Sequence, residues 1–171
     1  MTAATHEFTD AGVKATADME KGIVHVIADI AASPEAVFRA LTDPNELAAW
    51  WGAEDLYRTE QWEIDLRPGG KWKTYIPAPK GGDKADPRTA DAQTVGGEYI
   101  TIDPPRLLEY TWSPSWDGFA VSTVRCEITA TATGSRLTLV HSGFADRTQM
   151  AKDHGEGWVR VVGWLVVYLR T

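Results

Sequence analysis

The chain has 171 residues, of which 43% are hydrophobic and 24% are charged, and 17 basic against 24 acidic side chains give a formal net charge of −7. A chain of this length suits one domain with one core, and its single cysteine, Cys126, excludes an internal disulfide and a thiolate zinc cluster. The acidic balance argues against nucleic acid as a partner, because such a protein needs a basic stripe to displace counterions from phosphates.

The first 20 residues are small and polar with scattered acids. Because this composition cannot offset its own ordering entropy, we expect residues 1–20 to be a flexible or loosely attached segment, followed by a single domain over residues 21–171. The N-terminus lacks the basic start and apolar block of a secretory signal, and no run of about 18 apolar residues occurs along the chain. The sequence therefore predicts a cytoplasmic protein without a membrane span.

A strand and two short helices come next. Residues 23–30 are β-branched and partly alternating, which is typical of a strand. Ser33 and Pro34 are the residue types that favour an N-cap and a first helical position, so a short helix begins there. A second short helix over residues 44–51 has Asp43 as its cap.

The middle of the chain alternates short strand patterns with turn residues. The predicted strands are residues 62–66, 71–76, 95–102, 106–112, 121–131 and 135–141. Six consecutive strands after two helices indicate a meander, hence a mostly antiparallel sheet. Residues 77–93 are rich in proline, glycine and charge, which predicts a loop longer than a hairpin needs.

The last segment, residues 147–170, predicts a helix of about six turns. Its apolar side chains recur at spacings of three and four, and a second apolar stripe runs beside the first, so the helix must be buried broadly. Gly155, Gly157 and Gly163 interrupt it. They indicate either a close approach to a sheet or a frayed or kinked first turn.

Several motifs resemble one family in the right order along the chain. They are SPEAVFRALTDP at 33–44 followed by Trp50, Trp51 and Gly52, LRPGGKW at 66–72, GEY at 97–99, DPPRL at 103–107, YTW at 110–112, LTLVHSGF at 137–144 and GW at 157–158. No one motif is very specific, but together they resemble the START-like (SRPBCC) superfamily. Within it, they specifically resemble the C-terminal domain type of activator of heat-shock-protein-90 ATPase homologue-like proteins.

The resemblance implies an α+β helix-grip fold, as in birch-pollen allergens. In this fold a curved seven-stranded antiparallel sheet wraps around a long C-terminal helix, with two short helices after the first strand, often around a hydrophobic cavity. Family members include ligand carriers and a few enzymes, so membership fixes the fold better than the function. The chaperone role requires a further N-terminal domain, for which the chain has no room, so direct activation of a chaperone ATPase is not expected.

Eight tryptophans are more indole than a core of this size requires. Residues two apart on a strand share a face, and if that face is concave it lines the cavity with aromatic rings. The alternative is that the rings fill the space between sheet and helix. The candidate ligand-binding residues are Trp50, Trp51, Trp72, Thr74, Tyr110, Trp112, Cys126, Leu139, His141, His154 and Trp158.

Three of these residues are also candidates for catalysis. Because imidazole titrates near neutrality, His141 and His154, together with Tyr110, could supply acid–base groups. The alternative for both histidines is a hydrogen-bonded structural role. Metal-ligand spacing and phosphate-binding loops do not occur in the sequence, so we expect neither metal nor cofactor. Cys126, in mid-strand, is expected to be a buried, inert thiol.

Three functions stay open at this point. The leading hypothesis is a non-catalytic domain that binds a small hydrophobic or aromatic molecule between the sheet and the last helix. The second is an enzyme of the cyclase, dehydratase or hydrolase kind that uses His141, His154 and Tyr110 in the same cavity. The third is a protein-interaction module, either a homodimer or the partner of a regulator, with the loop at 77–93 as its contact.

Overall fold

The computed structural model of the chain describes residues 5–10, 12–53, 56–78 and 91–170. The strands are β1 (Thr5–Asp10), β2 (Val13–Asp18), β3 (Ile23–Ile30), β4 (Gly52–Ala53), β5 (Tyr57–Arg58), β6 (Glu60–Ile64), β7 (Lys71–Ile76), β8 (Gln93–Asp103), β9 (Leu107–Pro114), β10 (Ser122–Thr131) and β11 (Gly134–Ser142). The helices are α1 (Pro34–Thr42), α2 (Pro44–Trp50) and α3 (Thr148–Leu169), and one 3-10 turn covers Ser115–Asp117.

Nine of the strands form one antiparallel sheet in the order β1-β2-β3-β11-β10-β9-β8-β7-β6, while β4 and β5 pair separately. The side chains of β9, β10 and β11 alternate between buried and more exposed positions, so one face of the sheet lies on the core. Helix α3 packs against β1, β2 and β3. The predicted α+β helix-grip fold is confirmed, with nine strands in the sheet rather than seven.

The two additional strands come from the N-terminal segment, which the sequence analysis expected to be loosely attached. Here β1 and β2 form a hairpin, and β2 pairs with β3. Val13, Ala15 and Ala17 on β2 are almost completely buried. The segment lacks a strong hydrophobic pattern because its inward side chains are small, and these small side chains allow α3 to lie close to the sheet.

The two short helices begin as predicted. The Ser33 hydroxyl accepts a hydrogen bond from the backbone N–H of Ala36 at 3.2 Å. The Asp43 carboxylate accepts from the N–H groups of Asn45, at 2.8 Å, and Glu46, at 3.2 Å. These caps satisfy N–H groups that a helix start leaves without partners.

Helix α3 spans 22 residues, and ten of them are buried. A Cβ at Gly155 would lie 3.0 Å from the Phe8 ring and 3.3 Å from the Ala17 side chain, so this glycine permits the close approach of α3 to β1 and β2. Gly157 differs, because a Cβ there would meet no heavy atom within 4 Å. Within the described residues, no helix combines the length and the apolar character that crossing a membrane requires.

Candidate functional site

Seven tryptophans pack into one cluster between the sheet and the helices. The Trp51 ring, directly after α2, lies 5.3 Å from Trp50 and 5.7 Å from Trp158 between ring centroids. Trp112 on β9 lies 5.4 Å from Trp158. The remaining members are Trp62, Trp72 and Trp116, each linked to the cluster by a further ring contact. The rings therefore contact each other, and most of the indole serves as core.

Six tryptophans of this cluster donate their indole N–H to an acceptor within the protein. A buried N–H needs such a partner, because leaving it unsatisfied is costly. The acceptors are the backbone oxygens of Ala40 and Thr111 for Trp50 and Trp72, Oη of Tyr57 for Trp51, Oγ1 of Thr59 for Trp62, Nε2 of His154 for Trp112, and Nδ1 of His141 for Trp158.

Beside the cluster, the structure leaves a cavity of about 410 Å³ between the sheet and α3. This volume lies within the range of small-molecule sites, roughly 300–1,000 Å³. The walls combine aromatic rings with aliphatic side chains and a few polar groups. The described lining residues are Trp51, Leu56, Tyr57, Thr59, Thr74, Ile76, Pro77, Asp91, Gln93, Val95, Trp112, Trp116, Met150, Asp153, His154, Glu156, Gly157, Trp158, Arg160 and Val161.

Some of the residues that the sequence analysis named as ligand-binding line this cavity and others do not. Those that line it are Trp51, Thr74, Trp112, His154 and Trp158. Trp72 and Tyr110 instead face a separate space of about 20 Å³, which is roughly the size of one water. Trp50, Cys126, Leu139 and His141 lie in the core, outside the described walls of either space.

Part of the wall consists of residues that were not predicted from the sequence. Trp116 lies in the 3-10 turn, and Tyr57 lies on the two-residue strand β5. Neither position belongs to a periodic pattern long enough to assign a face. Arg160 and Val161 could have been found, because they lie one helical turn beyond Gly157 and Trp158 on α3.

The His154 ring uses both nitrogens in hydrogen bonds. Its Nδ1 lies 2.8 Å from the backbone oxygen of Met150, and since a carbonyl can only accept, Nδ1 must carry the proton. Its Nε2 then accepts the indole N–H of Trp112 at 3.2 Å. These partners assign a neutral imidazole with no free lone pair, although its ring lines the cavity.

His141 is arranged in the same way with the nitrogens exchanged. Its Nδ1 accepts the indole N–H of Trp158 at 2.9 Å, so Nε2 carries the proton and donates to Oγ of Ser122 at 2.6 Å. In a serine hydrolase the histidine Nε2 must instead accept the serine proton. The hydrogen-bond partners therefore assign the tautomer that cannot activate Ser122.

The electrostatics agree with two neutral rings. Burial lowers the pKa of His141 well below its ordinary range, and the neighbouring His154, 5.1 Å away between ring centroids, lowers it further. Burial also lowers the pKa of His154, against smaller opposing effects of the Met150 carbonyl and Asp153. Protonating either ring would set an imidazolium N–H against an indole N–H, since the indole can only donate.

Tyr110 and Cys126 lie away from the cavity. The Tyr110 ring meets Trp72 edge-on, 5.4 Å between centroids, and burial raises the pKa of its hydroxyl well above the ordinary value. Burial raises the pKa of Cys126 to about 12, so its thiol stays protonated and unreactive at neutral pH. Among the described residues, no three histidine, cysteine or acidic side chains are grouped so that they could hold a metal ion.

The sequence matches one family over most of its length. A family model described as activator of Hsp90 ATPase homolog 1-like protein matches residues 31–170. The chain belongs to this family. The family resemblance that the sequence motifs indicated is therefore confirmed, and the helix-grip architecture agrees with it.

Solved structures with the same fold are distant in sequence. A protein of Chromobacterium violaceum has 22% identity and a TM-score of 0.74, with 88% of this chain and 98% of that chain covered. A protein of Mycobacterium smegmatis has 20% identity and a TM-score of 0.70, with 90% and 92% covered. CalU16 of Micromonospora echinospora has 22% identity and a TM-score of 0.61, with 97% and 83% covered. At these identities the similarity shows the fold alone.

No curated protein matches the chain closely enough in sequence to report.

Proposed function

We propose that this chain binds a small hydrophobic or aromatic molecule in the cavity between the sheet and α3. The observation that carries the proposal is the combination of volume and wall: about 410 Å³ bounded by the rings of Trp51, Trp112, Trp116 and Trp158. Flat indole faces give a fused-ring ligand a large contact area without ordering flexible side chains. A cytoplasmic location and the absence of a nucleic-acid partner stay predictions.

Gly157 supports the proposal independently. A glycine inside a helix costs up to about 1 kcal/mol relative to alanine, so it needs a reason. At Gly155 the reason is the contact with Phe8 and Ala17, but a Cβ at Gly157 would meet nothing within 4 Å and would project from the lining of the cavity. A side chain there would take space from a ligand.

Acid–base catalysis by His141 and His154 is less well supported by the same geometry. The two rings lie close together, but each acceptor nitrogen already binds an indole N–H. Of these candidate acid–base residues, His154 lines the cavity, whereas His141 and Tyr110 do not. This geometry favours a hydrogen-bonded structural role for both histidines.

The interaction-module alternative depends on the loop at 77–93, of which residues 79–90 lie outside the described part of the chain. A protein partner or a homodimer through this loop stays a prediction.

Ligand-induced stabilisation tests the proposal. The chain is unfolded thermally in the presence of a panel of fused-ring aromatic and lipid-like molecules, and tryptophan emission is recorded in parallel. A ligand at 100 times its Kd should stabilise the fold by about 2.7 kcal/mol, which for a domain of this size raises Tm by roughly 5–10 °C. The proposal fails if neither Tm nor emission responds to any member of the panel.

A further inference from the structure

The polar groups around the cavity differ in whether their hydrogen bonds are already used within the protein. The N–H groups of Trp51, Trp112 and Trp158 all have acceptors, and both nitrogens of His154 have partners. Thr74 donates to the backbone oxygen of Glu60 at 2.9 Å. In each of these five residues, the donor or acceptor named here is already used within the protein and is not available to a ligand.

Three half-buried groups of the lining still have donor capacity. Within the described parts of the chain, no carboxylate lies within ion-pair distance of the Arg160 guanidinium, and no group accepts the Trp116 indole N–H. The Tyr57 oxygen accepts from Trp51 at 3.3 Å, which leaves its own proton to donate. Burial raises the pKa of Tyr57, so this proton is present at neutral pH.

Two of these donors lie at one end of the cavity. The Tyr57 ring meets Trp164 on α3 edge-on, 5.5 Å between centroids, and Arg160 lies one helical turn before Trp164. Arg160 is close enough that its positive charge opposes the rise in the Tyr57 pKa. The Arg160 guanidinium and the Tyr57 O–H, here called the donor pair, are therefore both available near this end of the cavity, and both can donate to a carboxylate.

The tryptophan rings of the lining, here called the indole floor, extend from this donor pair toward the start of α3. They belong to Trp51, Trp112, Trp116 and Trp158. Trp116 stacks on His154, 6.3 Å between ring centroids, and His154 precedes Arg160 by six residues. At 1.5 Å per residue, the separation along the helix is about 9 Å. A ligand of about two or three fused rings would cover this distance and end at the donor pair.

Among the described lining residues, the carboxylates of Asp91, Asp153 and Glu156 would repel an anion. Asp91 and Glu156 are exposed, so water weakens their effect. Asp153 already accepts a hydrogen bond from Gln149 at 3.0 Å. A carboxylate in direct contact with Arg160 makes a charge-assisted hydrogen bond that water screens little. Its repulsion from the solvated acids at the rim acts over a longer distance and is screened more strongly.

Resting on the proposed function, we infer that the ligand is a planar aromatic acid, whose carboxylate binds to Arg160 and Tyr57 while its rings lie on the indole floor. The half-buried donors described above need acceptors. A carboxylate supplies two acceptor oxygens and the negative charge that can pair with the Arg160 guanidinium.

Three probes with the same rings test this inference: anthracene carboxylate, anthracene methanol and anthracene methylammonium. Their Kd values are measured by titration calorimetry on the full chain. We expect the carboxylate to bind at least about tenfold more tightly than the alcohol, and the methylammonium to bind most weakly. The advantage of the carboxylate should decrease with salt.

Two variants of the cavity make the assignment specific. Arg160→Gln should remove most of the preference for the carboxylate, because it weakens the carboxylate more than the alcohol. Glu156→Gln, one helical turn away, removes a competing acid and should tighten the carboxylate further. Arg125→Gln is the matched control, because it removes the same charge where Arg125 pairs with Glu109 and Glu127 on the sheet, outside the cavity lining.

The outcomes separate this inference from the proposed function. If the alcohol binds but the carboxylate has no advantage, or the methylammonium binds best, the aromatic acid is wrong and the hydrophobic site stands. If Arg160→Gln and Arg125→Gln weaken the carboxylate equally, the preference comes from net charge and the Arg160 contact is wrong. If none of the three probes binds, the aromatic acid is wrong, while the proposed function is contradicted only if the wider panel of fused-ring and lipid-like molecules also gives no response.

Discussion

At the scale of single residues, the structure pairs each of the two buried histidines, His141 and His154, with a tryptophan. Trp112 donates to His154 and Trp158 donates to His141, so each ring pair satisfies two buried polar groups at once. The pairs hold the two indoles in fixed orientations at the cavity wall. We therefore interpret His141 and His154 as positioning residues for the indole floor.

Trp112→Phe tests this interpretation. The substitution removes the N–H that His154 accepts, so protonation of His154 no longer opposes an indole donor, and we expect the pKa of His154 to rise. Stability should fall by about 1–3 kcal/mol from the lost hydrogen bond and packing. NMR titration of the imidazole measures the pKa, and denaturant unfolding measures the stability.

Trp50→Phe is the matched control for that variant. Trp50 is equally buried, but its indole donates to the backbone oxygen of Ala40 and not to a histidine. It should lose similar stability and leave the pKa of His154 unchanged. An unchanged His154 pKa in Trp112→Phe, or equal shifts in the two variants, would show that the indole does not govern the protonation of His154.

At the scale of elements, Gly155 and Gly157 of α3 have opposite surroundings, and this predicts opposite responses to alanine. Gly157→Ala should stabilise the fold by up to about 1 kcal/mol, because helix propensity improves and the new methyl group meets open space. Gly155→Ala should be less stable than Gly157→Ala, since its methyl group would press on Phe8 and Ala17. Denaturant midpoints of the two variants measure the difference, and equal midpoints would contradict the packing described for Gly155.

The N-terminal hairpin is a second element with a clear test. β2 covers one edge of β3 and contributes Val13, Ala15 and Ala17 to the core. Deleting residues 1–20 should therefore lower the unfolding free energy by several kcal/mol, as expected when several buried apolar side chains are removed together. If the shortened chain unfolds within a degree of the Tm of the full chain, the segment is loosely attached, as the sequence composition indicated.

Elements with a local chemical signal were predictable from the sequence, and those without one were not. The caps at Ser33 and Asp43 depend on a few adjacent residues, and both form as predicted. β1 and β2 were missed because burial of Ala15 and Ala17 depends on α3, more than 130 residues away in sequence for each of them. The cavity wall at Tyr57 was missed for a different reason, because a two-residue strand is too short to show a periodic pattern.

At the scale of the whole molecule, the buried neutral histidines predict loss of stability in acid. In the unfolded chain both imidazoles bind a proton near pH 6.5, whereas in the fold the pKa of each is lower. Between these values the unfolded state holds more protons, so stability is complete above about pH 6.5 and falls as the pH decreases below it. The two groups together give a slope of up to about 2.7 kcal/mol per pH unit.

Denaturant unfolding between about pH 5 and pH 7.5 measures this slope. His154→Gln keeps an oxygen that can accept the Trp112 N–H but removes one titrating group, so it should reduce the slope toward half. A slope identical to that of the native chain would mean that His154 does not contribute to the acid sensitivity.

We propose that the space beside Gly157 holds an aromatic ligand, and a single titration can test this. Anthracene methanol is added to the native chain, to Gly157→Ala and to Gly157→Leu while tryptophan emission is followed. We predict saturable binding to the native chain, an affinity within a few-fold of it for the alanine variant, and at least about tenfold weaker binding when the leucine side chain occupies the cavity. Equal binding by the native chain and Gly157→Leu, or no binding by the native chain, would contradict the claim.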